Sequence, residues 1–545
     1  MHSGNRKDLR FLHRKARAIK SVVILCLSIW LSAVVGFAAS NDDWTEAKKT
    51  ISAADGAWED WCKQWELWKN SPLQMALTPG TNESEINFSW YSTKEDKESR
   101  IRIADNEQLR DATTLIVTTK KATTGYYYNQ AVATKLDINK TYYYSYTIDG
   151  RWTKAYKIQT KNPSDFQFVF VGDPQIGSSY DNIPDGESGV QGQERAVCND
   201  SFNWNSTLQA AYNHAKKLSF IVTAGDQIQS RNLKDSEANY KTFNKNEIEY
   251  AGYLSPELLR SIPVATTIGN HDSLSANYSY HFNNPNSKTG YGTTYAGADY
   301  YFAYGDTIFL MLNTNNTNIE EHEKFIREAL SSNKNVTWRI VAMHQDIFGS
   351  GEHSEDEDII ALRTAILPIL RKYDINLVLT GHDHTYARAF IADDDTKYDA
   401  DSVETGSFTK STSVVNQDMV RNQGFECSRK MISALTMNAR SIKVFTNHYV
   451  IMERGRERVI QLYAKACDDT VRYSSGKGIL FITANSSSGS KYYKLLENQQ
   501  DYVGARSQEN QSSYTIIDIT KERIQLNTFF TESGKKVDKT IIITK

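Results

Sequence analysis

Six short apolar runs of strand character, at 166–171, 220–223, 264–268, 307–312, 338–342 and 376–379, alternate with stretches of helical period at 206–217, 319–331 and 357–372. Such alternation predicts an α/β domain whose central sheet is covered by helices. A polar cluster closes or directly follows five of the six runs. These clusters are Gly172-Asp173-Pro174-Gln175, Gly225-Asp226-Gln227, Gly269-Asn270-His271-Asp272, Val341-Ala342-Met343-His344 and Gly381-His382-Asp383-His384. Open α/β sheets bind ligands beyond the carboxyl ends of their strands, so the clusters mark the expected site.

Together the clusters supply two Asp, one Asn, three His and a Gln as donors. Oxygen and imidazole groups on rigid strand ends suit divalent metals, and this number suffices for two ions side by side. Asp173 and His384 would bind one ion, with the amide oxygen of Gln175 as a third ligand. Asn270, His344 and His382 would bind the other, and Asp226 would bridge the two. Ions about 3.5–4 Å apart activate a water and clamp a phosphoryl group for in-line displacement. His271, beside Asn270, is placed to face a substrate, to stabilise phosphoryl oxygens or to protonate a leaving oxygen, with Asp272 to orient it. His353, nine residues after His344 in a glycine-containing loop, reads equally as a second proton donor or as a solvated histidine. One Gly-Asp or Gly-Asn pair is ordinarily a turn. Five clusters in this order on strand ends are not explained by turn chemistry.

The flanking segments differ in character. Residues 1–40 carry seven of the 63 Lys and Arg and one acid, Asp8, with an apolar run over 21–38 and small residues at Gly36, Ala38, Ala39 and Ser40. That order predicts an export signal or, uncleaved, a membrane tether through 21–38, with a secreted or extracellular body. The body is mildly acidic and offers no footprint for nucleic acid. Beyond the signal, Cys62, Cys198, Cys427 and Cys467 are an even set that permits disulfides in an exported chain. A Cys427–Cys467 bridge would close one insertion, and separate thiols fit equally. Within 41–71, residues 43–70 read as helical, with Trp58, Trp61, Trp65 and Trp68 on one face, a packing face against a neighbouring domain in preference to an aromatic ligand platform. Over 72–163 the pattern has period two with turn signals, as in a small β-sandwich without a catalytic set. The α/β region, 164–545, is interrupted at 394–475 by an insertion, either a lid or a surface elaboration, and final strands at 514–519 and 523–530 close its sheet.

The set Asp173-x-Gln175, Gly225-Asp226, Gly269-Asn270-His271-Asp272, His344 and Gly381-His382-Asp383-His384 resembles the signature of the calcineurin-like metallophosphoesterases. It is most similar to their purple acid phosphatase-like branch, which places a fibronectin-like domain before the catalytic one. Residues 136–144 resemble the turn-into-strand segment of fibronectin type III domains, with Tyr143 or Tyr144 to tie the corner. The resemblance covers roughly 72–393 and 476–545. It implies an α/β fold with a two-sheet core flanked by helices, an all-β fibronectin-like sandwich before it, two metal ions and phosphoester hydrolysis. Two positions depart from the pattern. Gln229 stands where purple acid phosphatases have the tyrosine that ligates ferric iron, and Gln175 where most other members have histidine. No purple colour is therefore expected, and the metals are open among Fe, Zn, Mn, Mg and Ca. The implied activity is acid phosphatase-like hydrolysis of phosphate monoesters, small or macromolecular, by an exported enzyme. A phosphodiesterase or nucleotidase using the same centre is the alternative. A non-catalytic surface binding protein is a third reading, opposed by the retention of every carboxylate, Asn and His ligand.

Overall fold

A computed structural model describes residues 43–69, 75–93, 99–123, 125–182, 190–230, 246–393, 441–445, 448–453, 456–460 and 469–545. The basic and apolar N-terminal segment and most of the 394–475 insertion, including Cys427 and Cys467, lie outside the described residues. Among the described residues no helix is long and apolar enough to cross a membrane.

The strand Asp165–Val171 shows why the core needs two sheets. Successive side chains of a strand point to opposite faces. Here Phe166, Phe168 and Phe170 turn one way, while Val169 and Val171 turn the other. The phenylalanine face meets Phe302, Phe309, Trp338, Ile340, Leu377 and Leu480 of a second sheet. The valine face meets Phe202, Trp204 and Leu208 of the helix Val190–His214. Across the molecule, Ile308, Leu310, Val341 and Val378 pack on the helices Ile319–Ser332 and Glu357–Lys372. The two-sheet core flanked by helices that the family resemblance implies is what is found, and the single central sheet read from alternation alone resolves into two stacked sheets between helical layers. A run buried on both faces is apolar throughout, so its period cannot reveal whether a helix or a sheet covers it.

Both sheets have seven strands. In the first, Val264–Thr266, Leu218–Thr223 and Asp165–Val171 are parallel neighbours, continued by Ser513–Thr520, Arg523–Phe530, Thr540–Thr544 and Thr470–Ser474. In the second the order is Tyr300–Tyr304, Thr307–Met311, Trp338–Ala342, Leu377–Thr380, Gly478–Thr483, Tyr386–Ala392 and Val503–Ser507. The parallel strands bring their carboxyl ends, with all five polar clusters, to one end of the sandwich. Closure takes more than the two strands foreseen. Thr540–Thr544 is a third, and Thr470–Ser474, inside the expected insertion, belongs to the core because Tyr473 stacks on Phe390 at 4.3 Å.

At the N-terminus the α-helix begins only at 57 and spans Ala57–Trp68. Asp55 (φ 56°) and Gly56 (φ 83°) are left-handed, so the preceding turns Ala47–Lys49 and Ile51–Gly56 cannot join it. Trp61 and Trp65 are buried, and Trp58 and Trp61 meet Phe202 edge-on at 5.4 and 5.9 Å. The tryptophan face is a packing face.

Residues 75–160 form two small antiparallel sheets around Phe88, Trp90, Ile101, Tyr144, Tyr146 and Ile158. The corner is tied by Tyr142, whose hydroxyl accepts the Asp137 N–H at 2.9 Å, rather than by Tyr143 or Tyr144. Tyr144 instead donates to the Arg260 carbonyl at 2.9 Å, joining this β-domain to the core. Tyr91 stacks on His281 at 4.4 Å, and its hydroxyl donates to Glu247 at 3.1 Å.

One buried ion pair clamps the two core sheets. Arg388 of the second sheet donates through Nε to Asp538 Oδ2 at 2.7 Å, and Tyr386 donates to the same oxygen at 3.0 Å. Removing one partner strands a buried charge, which costs about 3–5 kcal/mol, whereas an apolar pair in its place is often neutral. R388L is therefore expected to lower the urea-unfolding free energy by that amount, and R388L/D538L to recover most of it. Equal stability of R388L and wild type would refute the clamp.

Candidate metal centre

The backbone at three of the five strand ends is strained. Asp173 (φ 28°), Gln175 (φ 37°), Asp226 (φ 45°), His382 (φ 70°) and His384 (φ 46°) all adopt left-handed conformations. Non-glycine residues there cost of order 1–3 kcal/mol each and persist only where the surroundings enforce them. Five of the seven expected ligands share this cost, which points to selection for what the side chains do.

Those side chains converge. One ligand atom from each of Asp173, Asp226 and His344 lies within 4.8 Å of the others, and all three residues are buried. His344 Nδ1 meets the Ala224 carbonyl at 2.8 Å and so carries the proton. Its Nε2 then faces Asn270 Oδ1 at 2.8 Å, His382 Nδ1 at 3.1 Å and Asp226 Oδ2 at 3.4 Å. On the other side, both carboxylate oxygens of Asp173 accept the His382 N–H at 3.0 Å. His384 donates from Nδ1 to the Lys491 carbonyl at 2.8 Å, turning Nε2 to Asp173 Oδ1 at 3.7 Å.

The electrostatics need added positive charge. Burial, reinforced by Asp226, pushes the Asp173 carboxyl well up, against the pull of His344. Burial also opposes ionisation of Asp226, but His344 and His271 outweigh it and hold that carboxyl below the ordinary range. Burial alone would depress His344; the charges of Asp226 and Asp173 overcome it and push it up to about 9. Among the described residues, the His344 ring alone faces both buried carboxyl groups. Burial, then the His344 charge, lowers His382 far below the usual histidine value. Burial, then Lys491, lowers His384 to about 3. Both rings keep a lone pair available for a metal.

Gln175 gives the sharpest test of fit. Its Nε2 donates to Gln229 Oε1 at 2.8 Å, but its own Oε1 is buried with no hydrogen-bond partner among the described residues. A buried acceptor left unpaired costs about 1–3 kcal/mol, and a cation beside it removes that cost. The two glutamines that depart from the family pattern are therefore one unit, in which Gln229 aims the Gln175 oxygen. Loss of an aiming partner typically weakens metal binding 10–100-fold. We expect Q229A to bind the ion assigned to Asp173, Gln175 and His384 more weakly by about that factor, read by dialysis against a metal buffer and elemental analysis. Unchanged stoichiometry in Q229A would show that Gln229 does not aim a ligand.

The structure brings His271 and His353 to the rim, with side chains 26% and 34% exposed. His271 Nδ1 meets the Gln229 carbonyl at 2.8 Å, and its Nε2 lies 4.0 Å from Asp226 Oδ2. Asp272 does not orient it, contrary to expectation. Its Oδ2 accepts the Gly269 and Gln227 N–H groups at 2.9 and 3.3 Å, so it braces two ligand loops. A short helix begins at Asp272, and that turn carries its side chain inward, away from the His271 ring. The His353 ring lies 5.1 Å from His382, and its Nδ1 meets Asp356 at 3.0 Å.

Sequence reading missed the loop after Gly478–Thr483. There Ser486 donates to the Asp173 carbonyl at 3.1 Å. Tyr493 lies 4.9 Å from both His353 and His384, with Lys491 Nζ 4.2 Å above its ring. Gly478–Thr483 is one more strand end beside Leu377–Thr380, so the rule that located the other clusters applied here too.

Comparisons with known proteins agree with this geometry. Residues 166–386, which contain every expected ligand, match the calcineurin-like phosphoesterase family, and residues 72–160 match the purple acid phosphatase N-terminal domain. No curated protein matches the chain in sequence. Among solved structures it is similar to the purple acid phosphatase PPD1 from yellow lupin (Lupinus luteus) seeds, at 13% identity and a TM-score of 0.54, over 87% of this chain and 75% of that one. PhoD is a second neighbour, at 12% identity and a TM-score of 0.49, over 86% of this chain and 92% of that one. The lupin likeness shows a shared fold. The chain therefore carries a calcineurin-like phosphoesterase domain preceded, in the expected order, by a purple acid phosphatase N-terminal domain.

Proposed function

We propose that this phosphoesterase is exported and hydrolyses phosphate monoesters with two metal ions. The observation that carries the reading is the convergence of lone pairs from Asn270, His344, His382 and Asp226 on one place, beside the Asp173 carboxylate. Asp173, His384 and Gln175 would hold one ion, Asn270, His344 and His382 the other, and Asp226 both. Bound there, the metals supply a lowered water pKa and offset the charge of the phosphoryl oxygens.

The remaining work falls to the rim. His271 and His353 are the half-buried groups able to donate to a phosphoryl or leaving oxygen. The Gln229 carbonyl fixes the His271 ring with Nε2 toward the cluster. The Asp356 carboxylate fixes His353 in the same way. Lys491, next to His384 and against Tyr493, adds an ammonium on the same side. A monoester dianion gains more from that charge than a diester monoanion, and this supports the monoester reading. Export rests on the basic and apolar order of residues 1–40.

Phosphate release from p-nitrophenyl phosphate and from bis(p-nitrophenyl) phosphate, on protein of measured metal content, tests the activity. Faster turnover of the monoester is expected. Preference for the diester overturns the substrate class, and no release with any divalent ion overturns the enzyme. The N-terminal sequence of protein recovered outside the cell tests export.

A further inference from the structure

The tryptophan helix meets the catalytic core at a pair of thiols. Cys62 lies on Ala57–Trp68 and Cys198 on Val190–His214, and the Cys198 thiol points at Cys62 Sγ across 3.9 Å. Cys198 is buried, whereas Cys62 is half-buried and opens on a cleft of about 380 Å³ shared with Trp44, Trp58, Trp65 and Arg195. The rest of the N-terminal attachment is noncovalent. Ala47 donates to Asn199 Oδ1 at 2.8 Å, Asn199 and Asn203 donate to the Thr45 carbonyl, and the tryptophans pack edge-on.

We propose that Cys62 and Cys198 are a thiol–disulfide exchange site that closes into a disulfide stapling the N-terminal helix to the core. The reaction partner is a low-molecular-weight or protein disulfide. Cys62, the thiol facing the cleft, gives up its proton and attacks one sulfur of the partner, forming a mixed disulfide and releasing one partner thiolate. Cys198 then gives up its proton and attacks Cys62 Sγ, so the second partner thiolate leaves. Two protons pass to the released thiolates, and the two protein thiols are oxidised by the two electrons that reduce the partner's disulfide. The order follows from burial, since both thiols line the cleft but Cys62 is half-exposed to it whereas Cys198 is buried behind it. The hydrogen bond from Cys198 also lowers the Cys62 pKa, which favours the same attacker. Closure requires the sulfurs to approach from 3.9 Å to the bonding distance of about 2.05 Å. Rotation of the half-buried Cys62 about its Cα–Cβ bond provides that movement. The staple spans 136 positions and encloses the whole β-domain together with Asp173 and Gln175.

Export decides only whether an oxidant is met in the cell, so the chemistry is tested on purified full-length protein in glutathione redox buffers. Each cysteine is read separately by differential alkylation, peptide mapping and mass spectrometry. Oxidised glutathione is expected to protect Cys62 and Cys198 together and to yield one cross-linked peptide pair lighter by two hydrogens. C198S is expected to trap glutathione on Cys62, whereas C62S leaves Cys198 unmodified until the protein unfolds. The oxidised protein is expected to unfold at a midpoint roughly 5 °C or more above the reduced one, a difference absent in both variants. Free Cys62 and Cys198 after oxidation, or cross-links running only to Cys427 or Cys467, would overturn the proposal.

Discussion

D226N is expected to abolish phosphoester turnover while leaving the fold intact. The exchange keeps the size of the side chain and its acceptor for the His271 N–H, now 2.9 Å from Oδ1. It removes the negative charge that faces His344 at 3.4 Å and replaces the second oxygen with an N–H₂ group. An N–H₂ group has no lone pair for a metal and would point its hydrogens at the neighbouring donors. Losing an outer-sphere partner already costs 10–100-fold in comparable sites, so losing the shared carboxylate should cost more, about a thousandfold in kcat/KM. Elemental analysis should show fewer than two ions per chain, with near-ultraviolet circular dichroism unchanged. Wild-type turnover in D226N would remove Asp226 from the mechanism and with it the two-metal reading.

The site was legible in the sequence because its residues answer to one rule: donor-bearing side chains directly after apolar strands. Asp173, Asp226, Asn270, His344, His382 and His384 could be named without coordinates for that reason. What sequence could not supply was the partner of each group. Asp272 follows His271 in the chain, but the turn that begins there aims it at the Gly269 and Gln227 amides. Gln175 and Gln229, read separately as two departures, form one hydrogen-bonded unit. Lys491 and Tyr493 lie more than a hundred residues beyond His384, and no histidine or carboxylate stands among the residues 484–496 that directly follow the strand. The fold shows the same division. Strand and helix positions followed from apolar patterning, whereas the second sheet came only from the family resemblance, because Phe166 and Val169 look alike to any measure of hydrophobicity.

The glycines of the clusters read first as turn formers, and the structure gives them another task that leads to the second large effect. A Cβ on Gly269 would sit 1.9 Å from Asp226 Oδ1 and 2.2 Å from the Asp226 amide nitrogen. Gly269 is not among the left-handed residues, so space, not backbone conformation, is what it supplies. Neither neighbour can yield cheaply. The carboxylate is held by the His271 N–H, and the nitrogen is backbone in a loop whose Asp226 carbonyl accepts the Gln175 N–H at 2.7 Å. G269A must therefore push the second and third clusters apart, separating Asp226 from Asn270 while deleting no donor. Overpacking of this kind costs about 1–3 kcal/mol, which a protein with a core of this size tolerates. Misplacing catalytic groups by about 1 Å costs about a hundredfold in rate. We expect G269A to fold, to unfold at a midpoint a few degrees lower, and to lose at least about a hundredfold in kcat/KM. If it retained full activity, the two loops would have to be able to separate without disturbing the centre, and the close approach of Asp226 to Gly269 would be dispensable for catalysis.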